Sequence, residues 1–389
     1  MYNNKSVKGE SCDADNEIIS QAKNIILQNP LKSVFFQQIK LKEKNIILDD
    51  NKVNRLIQEI RNLLYPKEEE ILRNMDEIEI DLDNTVKDGK NIPFCISNSK
   101  IININKNNRQ EQYIVFTTLF QLKFLEKTKT LFMDGTFKSN PKNYYQLFNI
   151  IAYIEQEKFY IPIAYILMTN KSFELYFKLL KEIKFHVKIN NINVDFKNIN
   201  FICDFERSLI KAIKEVFNKS RINGCYFHYV KALWKKMKSY GLTTKSMIDK
   251  SKIIIFGCKI FPFILNKEKK NYINDLFEFA KKSNSNYEKF IKYFKRSWVN
   301  SNFLNFDEIC DGEIYNRTNN ICESFNHKIN TAVGYPHPKL GVLIEKLKEI
   351  TINYYQSYIN KLFNNNLNQI NSINLFNDII IFRKISKKI

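Results

Sequence analysis

Three apolar, β-rich runs follow one another between residues 130 and 168: TLFMDGTF (130–137), YYQLFNIIAYI (144–154) and FYIPIAYILM (159–168). Their connections are short and polar, the pattern of an antiparallel meander. The period then changes. SFELYFKLLKEIKFHV (172–187) carries Phe173, Tyr176, Phe177, Leu180, Ile183 and Val187 at helical spacing. A short strand, NINFICD (198–204), precedes a second helix over 207–218. A fifth strand, INGCYF (222–227), runs into a third helix with Val230, Leu233, Trp234 and Met237 on one side. The order β-β-β-α-β-α-β-α requires a mixed sheet, three strands antiparallel and the rest joined through helices, with helices on both faces.

That is the element order of the ribonuclease-H-like fold: α/β, with a mixed five-stranded sheet. Its first and fourth strands lie side by side. Asp134 sits in the first and Asp204 ends the fourth, so both carboxylates would meet at one edge. Two close anions raise each other's proton affinity unless a cation lies between them. Mg²⁺ suits such oxygen ligands, and its remaining waters bind phosphate. A third carboxylate is expected from Glu323 in RTNNICESFNHKINTAV (317–333), where Ile321, Phe325, Ile329 and Ala332 would form the buried stripe. Asn319, Glu323, Asn326 and Asn330 form a polar stripe beside it. Each acid alone also reads as a strand-end or surface carboxylate. Glu206, two residues from Asp204, is the substitute ligand if the register differs.

Other features bound the reading. The segment 1–89 reads as a helical region with patterns at 16–28, 32–43 and 50–64, either a helix-turn-helix unit or a plain helical cap, and a charged linker. The catalytic core would occupy 90–242 and 313–389, interrupted by a Lys-rich, all-helical insertion over 243–312. The run 114–127 is ambiguous between strand and helix. Net charge is +20, from 61 basic and 41 acidic residues, which favours a polyanionic partner. A Lys-, Asn- and Ile-rich composition could produce the same excess without function. The seven cysteines contain no C-x-x-C and are odd in number, so a reducing compartment is expected rather than a disulfide framework. The longest apolar run, 253–265, is broken by Lys259 and Pro262 and falls short of the ~20 residues of a spanning helix. No membrane association is expected.

Five blocks in order, DGTFKSNPKNYYQLFNI, PIAYILMTNKS, DFERSLIKAI, GCYFHYVKALWKKM and RTNNICESFNHKIN with HPKL after it, resemble the Mutator-like element (MULE) transposases across about 90–350. The resemblance implies a ribonuclease-H-like catalytic domain with an Asp-Asp-Glu triad. By position its members are Asp134, Asp204 and Glu323, holding two Mg²⁺ or Mn²⁺ ions for phosphodiester cleavage and strand transfer. The partners implied are transposon-end and target double-stranded DNA, with a homo-oligomer assembled on it in the nucleus. The family's Cys-x-x-His element is Cys225 and His228. As ligands these two make half a zinc site, so a structural or site-ordering role is expected and zinc is not. No zinc-binding module is visible at either end.

Lys138, Lys142 and Arg317 are the basic residues nearest the acids in sequence, candidates for phosphate contact, with solvated surface lysine the blander reading for Lys142. Trp298 could stack on a flipped base or pack in the insertion's core. Gly135 would permit close approach of DNA or backbone, or tight packing. The alternative to an active transposase is a domesticated, non-catalytic DNA-binding regulator. A ribonuclease or resolvase on the same fold would also cluster carboxylates, but explains neither the Cys-x-x-His nor the insertion.

Overall fold

The computed structural model describes residues 7–29, 34–64, 68–81, 92–103, 109–245, 248–264, 266–300 and 320–367. Four helices open the chain: α1 (Val7–Gln28), α2 (Val34–Glu43), α3 (Asp50–Leu64) and α4 (Glu68–Arg73). The first three pack through Ala22, Ile26, Leu41, Val53, Leu56, Ile57 and Ile60. α1 starts earlier than its apolar periodicity. A two-stranded ribbon of β1 (Glu79–Ile80) and β2 (Ile92–Pro93) follows.

The main sheet holds seven strands, not the five expected. They are β3 (Cys95–Asn103), β4 (Arg109–Phe116), β5 (Thr128–Thr136), β6 (Gln146–Ile154), β7 (Phe159–Met168), β8 (Asn200–Cys203) and β9 (Arg221–Gly224), in spatial order β3-β4-β7-β6-β5-β8-β9. The two additions are a hairpin, β3–β4, that extends the meander at β7. Its first strand, CISNSKIIN, is polar enough to read as loop. The ambiguous 114–127 run is shared between β4, α5 (Leu119–Lys123) and a 3₁₀ turn; Thr118 and Gln121 form a reciprocal capping box that sets the boundary. β5–β6 and β6–β7 are antiparallel, whereas β5–β8 and β8–β9 are parallel.

α6 (Phe173–Ile189) and α7 (Arg207–Val216) cover one face. Leu131, Met133, Phe201 and Cys203 point into an apolar cluster with their Leu179, Leu180 and Ile213, each buried aliphatic side chain contributing ~1.5–3 kcal/mol. α12 (Asn320–Val333) and α13 (Leu340–Leu367) cover the other. Phe132 and Ile202 meet Cys322, Phe325, Ile329, Leu343 and Leu347 there. α8 (Tyr226–Ser239) leads into α9 (Ile248–Ile260), α10 (Asn266–Ser283), α11 (Ser285–Phe294) and a π-helical turn, Lys295–Val299. These four helices share a core of Tyr229, Leu233, Ile254, Cys258, Tyr287 and Phe290. No described helix is long and apolar enough to cross a membrane.

Candidate metal centre at the sheet edge

Strand parity decides where the acids go. Along β5, Leu131 and Met133 face α6 and α7 while Phe132 faces α12. Along β8, Phe201 and Cys203 face the first side and Ile202 the second. The strands pair in parallel register with Met133 beside Cys203. The next residues are Asp134 and Asp204, both turned to the α12 side by the two-residue period. β9 continues the series: Cys203 pairs with Gly224, and the Cys225 amide donates to the Cys203 carbonyl at 2.9 Å. Asp134, Asp204 and Cys225 thus follow one another across three adjacent strand ends.

Cys225 is also the N-cap of α8. His228, three residues on, returns to the same face of the helix. Its Nδ1 lies 2.7 Å from Asp204 Oδ1 and its Nε2 3.8 Å from Glu323 Oε1. The imidazole therefore stands between two of the three expected acids. The closer approach is short but not aligned as a hydrogen bond: Asp204 Oδ1 and His228 Nδ1 both lack a hydrogen-bond partner among the described residues. Proximity dominates alignment in this ion pair. The Asp204 contact first, and then Cys225, hold the His228 proton up to about 10.

Asp134 is tied to α12 from the other side. Asn326 Nδ2 donates to Asp134 Oδ2 at 2.9 Å, and Asn149 Nδ2 on β6 donates to Asn326 Oδ1 at 2.7 Å. Ser139 donates to Asn330 one turn further along. Asn149 and Asn326 are buried, so their amides must pair or incur a desolvation penalty. The α12 stripe is rotated by about one residue from expectation. Cys322 and Val333 are buried where Ile321 and Ala332 are half-buried, which turns Asn326 inward. Burial first, and then the Asp204 charge, push the Asp134 carboxyl up to about 7. Asp204 and Glu323 remain a third and two-fifths exposed, at 34% and 41%, open to a solvent-borne ion.

The other sequence candidates separate. Lys138 and Lys142 are exposed; the Lys138 carbonyl accepts from the His337 amide at 2.9 Å. Arg317 and Asn319 lie outside the described residues, as does 301–312 of the insertion. Trp298 is half-buried and packs edge-on against Phe205 and Tyr229, both 4.9 Å away. Glu206 is not at the edge with Asp204: Lys171 holds it at 2.8 Å beside Tyr176, on the α6 side. Gly135 serves tight packing, since an added Cβ would meet Gln146 Oε1 at 2.3 Å. Asn149 escaped notice in the sequence, yet an amide in the apolar LFNII is a signal, since it must find a buried partner.

Residues 130–232 match the family model described as MULE transposase domain. The matched segment runs from β5 into α8 and contains Asp134, Asp204, Cys225 and His228, while Glu323 lies beyond it. No curated protein matches the chain. The match to 130–232 supports assigning this chain to the MULE transposase family.

Proposed function

We propose that the protein is a DNA transposase of the Asp-Asp-Glu type, with a ribonuclease-H-like catalytic core and with Asp134, Asp204 and Glu323 as its acids. One observation carries the reading: three carboxylates separated by 70 and 119 residues in the chain (204 − 134 and 323 − 204) converge, two on the His228 ring and the third on the neighbouring Asn326. Parallel pairing of β5 with β8 supports the fold assignment, since it is the arrangement that brings the first two together.

The donor set fits hard divalent cations. All three groups offer oxygen, and Asp204 Oδ1 is left without a hydrogen-bond donor, which suits Mg²⁺ or Mn²⁺. When bound, a pair of such ions supplies activation of a water or 3′-hydroxyl and stabilisation of the leaving oxygen. The chain's own residues prepare that site. Asn326 orients the Asp134 carboxylate through a hydrogen bond to Oδ2. His228 offsets the charge of Asp204 and Glu323 in the absence of ions. The net charge of +20 favours the DNA polyanion. Transposon ends and target as substrates, assembly as an oligomer and a nuclear location belong to the same proposal.

The test is nicking of double-stranded DNA bearing the element's terminal repeats in Mg²⁺ or Mn²⁺, with Asp204→Asn beside the unmutated protein. Cleavage lost on substitution with DNA binding retained supports the enzyme. Binding without cleavage by the unmutated protein makes it a DNA-binding regulator instead.

A further inference from the structure

The sequence offers Cys225 and His228 as two ligands; the fold adds a third. Asp204, Cys225 and His228 each present a ligand atom within 4.8 Å of the other two. The cause is local. β8 and β9 pair in parallel and stop at Cys203 and Gly224, so the residues that follow, Asp204 and Cys225, emerge side by side. The first turn of α8 then lifts His228 over both. We propose that these three residues form a site for a thiophilic divalent cation, zinc by ligand chemistry, and that its occupancy withdraws Asp204 from the hard-ion site.

Each part of the geometry suits that ligand class. The set is one thiolate, one imidazole and one carboxylate, a combination that selects a borderline-soft ion over Mg²⁺. Cys225 forms no disulfide and is fully buried. Asp204 Oδ1 and His228 Nδ1 lie 2.7 Å apart, and neither is in a hydrogen bond among the described residues. Behind the ring, Glu323 Oε1 lies 3.8 Å from Nε2, a carboxylate near the far side of the imidazole though beyond hydrogen-bond distance. Three protein ligands leave a fourth position for water. Asp204 cannot serve both ions with the same oxygen, so the soft ion would act as a brake on the cleavage proposed above. The binding claim stands without that function; the brake rests on it.

The experiment uses the full-length, reduced, metal-depleted protein titrated with Cd²⁺, read by the near-ultraviolet thiolate-to-metal charge-transfer band. A saturable, stoichiometric band is expected. Cys225→Ser should abolish it, and His228→Ala or Asp204→Asn should weaken binding by at least the ~10–100-fold that loss of an outer-shell partner costs. Cys258→Ala, in the insertion core, and Asp134→Asn should keep it. Absence of a band, or a band that survives Cys225→Ser, overturns the site; thermal melting of each variant shows that it is folded. Zn²⁺ added to the Mg²⁺-dependent nicking reaction should suppress it, with recovery on a zinc-selective chelator. Cd²⁺ binding with undiminished nicking in Zn²⁺ overturns the brake. No nicking under any condition, with the Cd²⁺ band present, removes the proposed function and leaves the site.

Discussion

The two faces of the central sheet are built by different rules. Under α6 and α7 the contacts from β5 and β8 are apolar, with Leu131, Met133, Phe201 and Cys203 meeting Leu179, Leu180 and Ile213. Under α12 the same strands begin apolar, at Phe132 and Ile202, and end polar, where Asn149, Asn326 and Asp134 form a buried chain of hydrogen bonds. The first face supplies stability. The second gives up some of it to hold carboxylates in one orientation, which is where buried amides and raised proton affinities are expected.

The sharpest break between the faces is expected in the proposed DNA cleavage. Asp134→Asn or Asp204→Asn should slow DNA cleavage by about 10³-fold or more, comparable with losing a transition-state donor, while circular dichroism and melting show an intact fold. Across the sheet, Leu179→Ala should do the reverse. Removing its buried side chain should lower stability by ~2–5 kcal/mol in a denaturant titration, with cleavage per folded molecule unchanged. Gly135→Ala tests the tight packing at β5. The added Cβ meets Gln146 Oε1 at 2.3 Å, and overpacking should cost ~1–3 kcal/mol. Shortening Gln146 to alanine in the same chain should reduce that cost if the clash is its cause.

Asn326→Leu joins the two comparisons. It leaves the Asn149 amide without its acceptor, a loss of ~1–3 kcal/mol, and releases Asp134 from its hydrogen bond, so stability and cleavage should fall together. The last comparison concerns pH in the metal-free protein. Folding raises the Asp134 carboxyl from 3.8 to about 7, so the folded chain holds a proton that the unfolded chain releases. That contribution is fully present below 3.8 and lost as pH rises to about 7. His228 adds the same sign at higher pH, its contribution present below 6.5 and lost through about 10. The melting temperature should therefore decline from pH 4 to pH 8, and Asp134→Asn should flatten the lower part of that decline.

Much of this was legible in the chain. The β5–β9 strands and the α6–α8 helices follow from periodicity, because apolar stripes at spacings of two and 3.6 record burial directly. Asp134 and Asp204 stood out because each terminates an apolar run. The β3–β4 hairpin was not legible: Ser97, Asn98 and Ser99 are each half-buried on an outer strand, so alternation is weak. The convergence of Asp204 with Cys225 and His228 was hidden for another reason. It arises from strands paired in space across an intervening helix, and spacing along the chain does not encode that. Asn326 was visible as part of a polar stripe, but its inward turn depends on a rotation of α12 by one residue, finer than a pattern resolves.

The central claim is that Asp134, Asp204 and Glu323 jointly hold hard divalent ions. Binding of Mn²⁺, followed by the electron paramagnetic resonance signal of the unbound ion, tests it without any need for a DNA substrate. The unmutated protein should take up Mn²⁺ saturably, and Asp134→Asn, Asp204→Asn and Glu323→Gln should each weaken uptake by more than about tenfold. Uptake unaltered by Glu323→Gln, or by either aspartate substitution, would contradict the shared site.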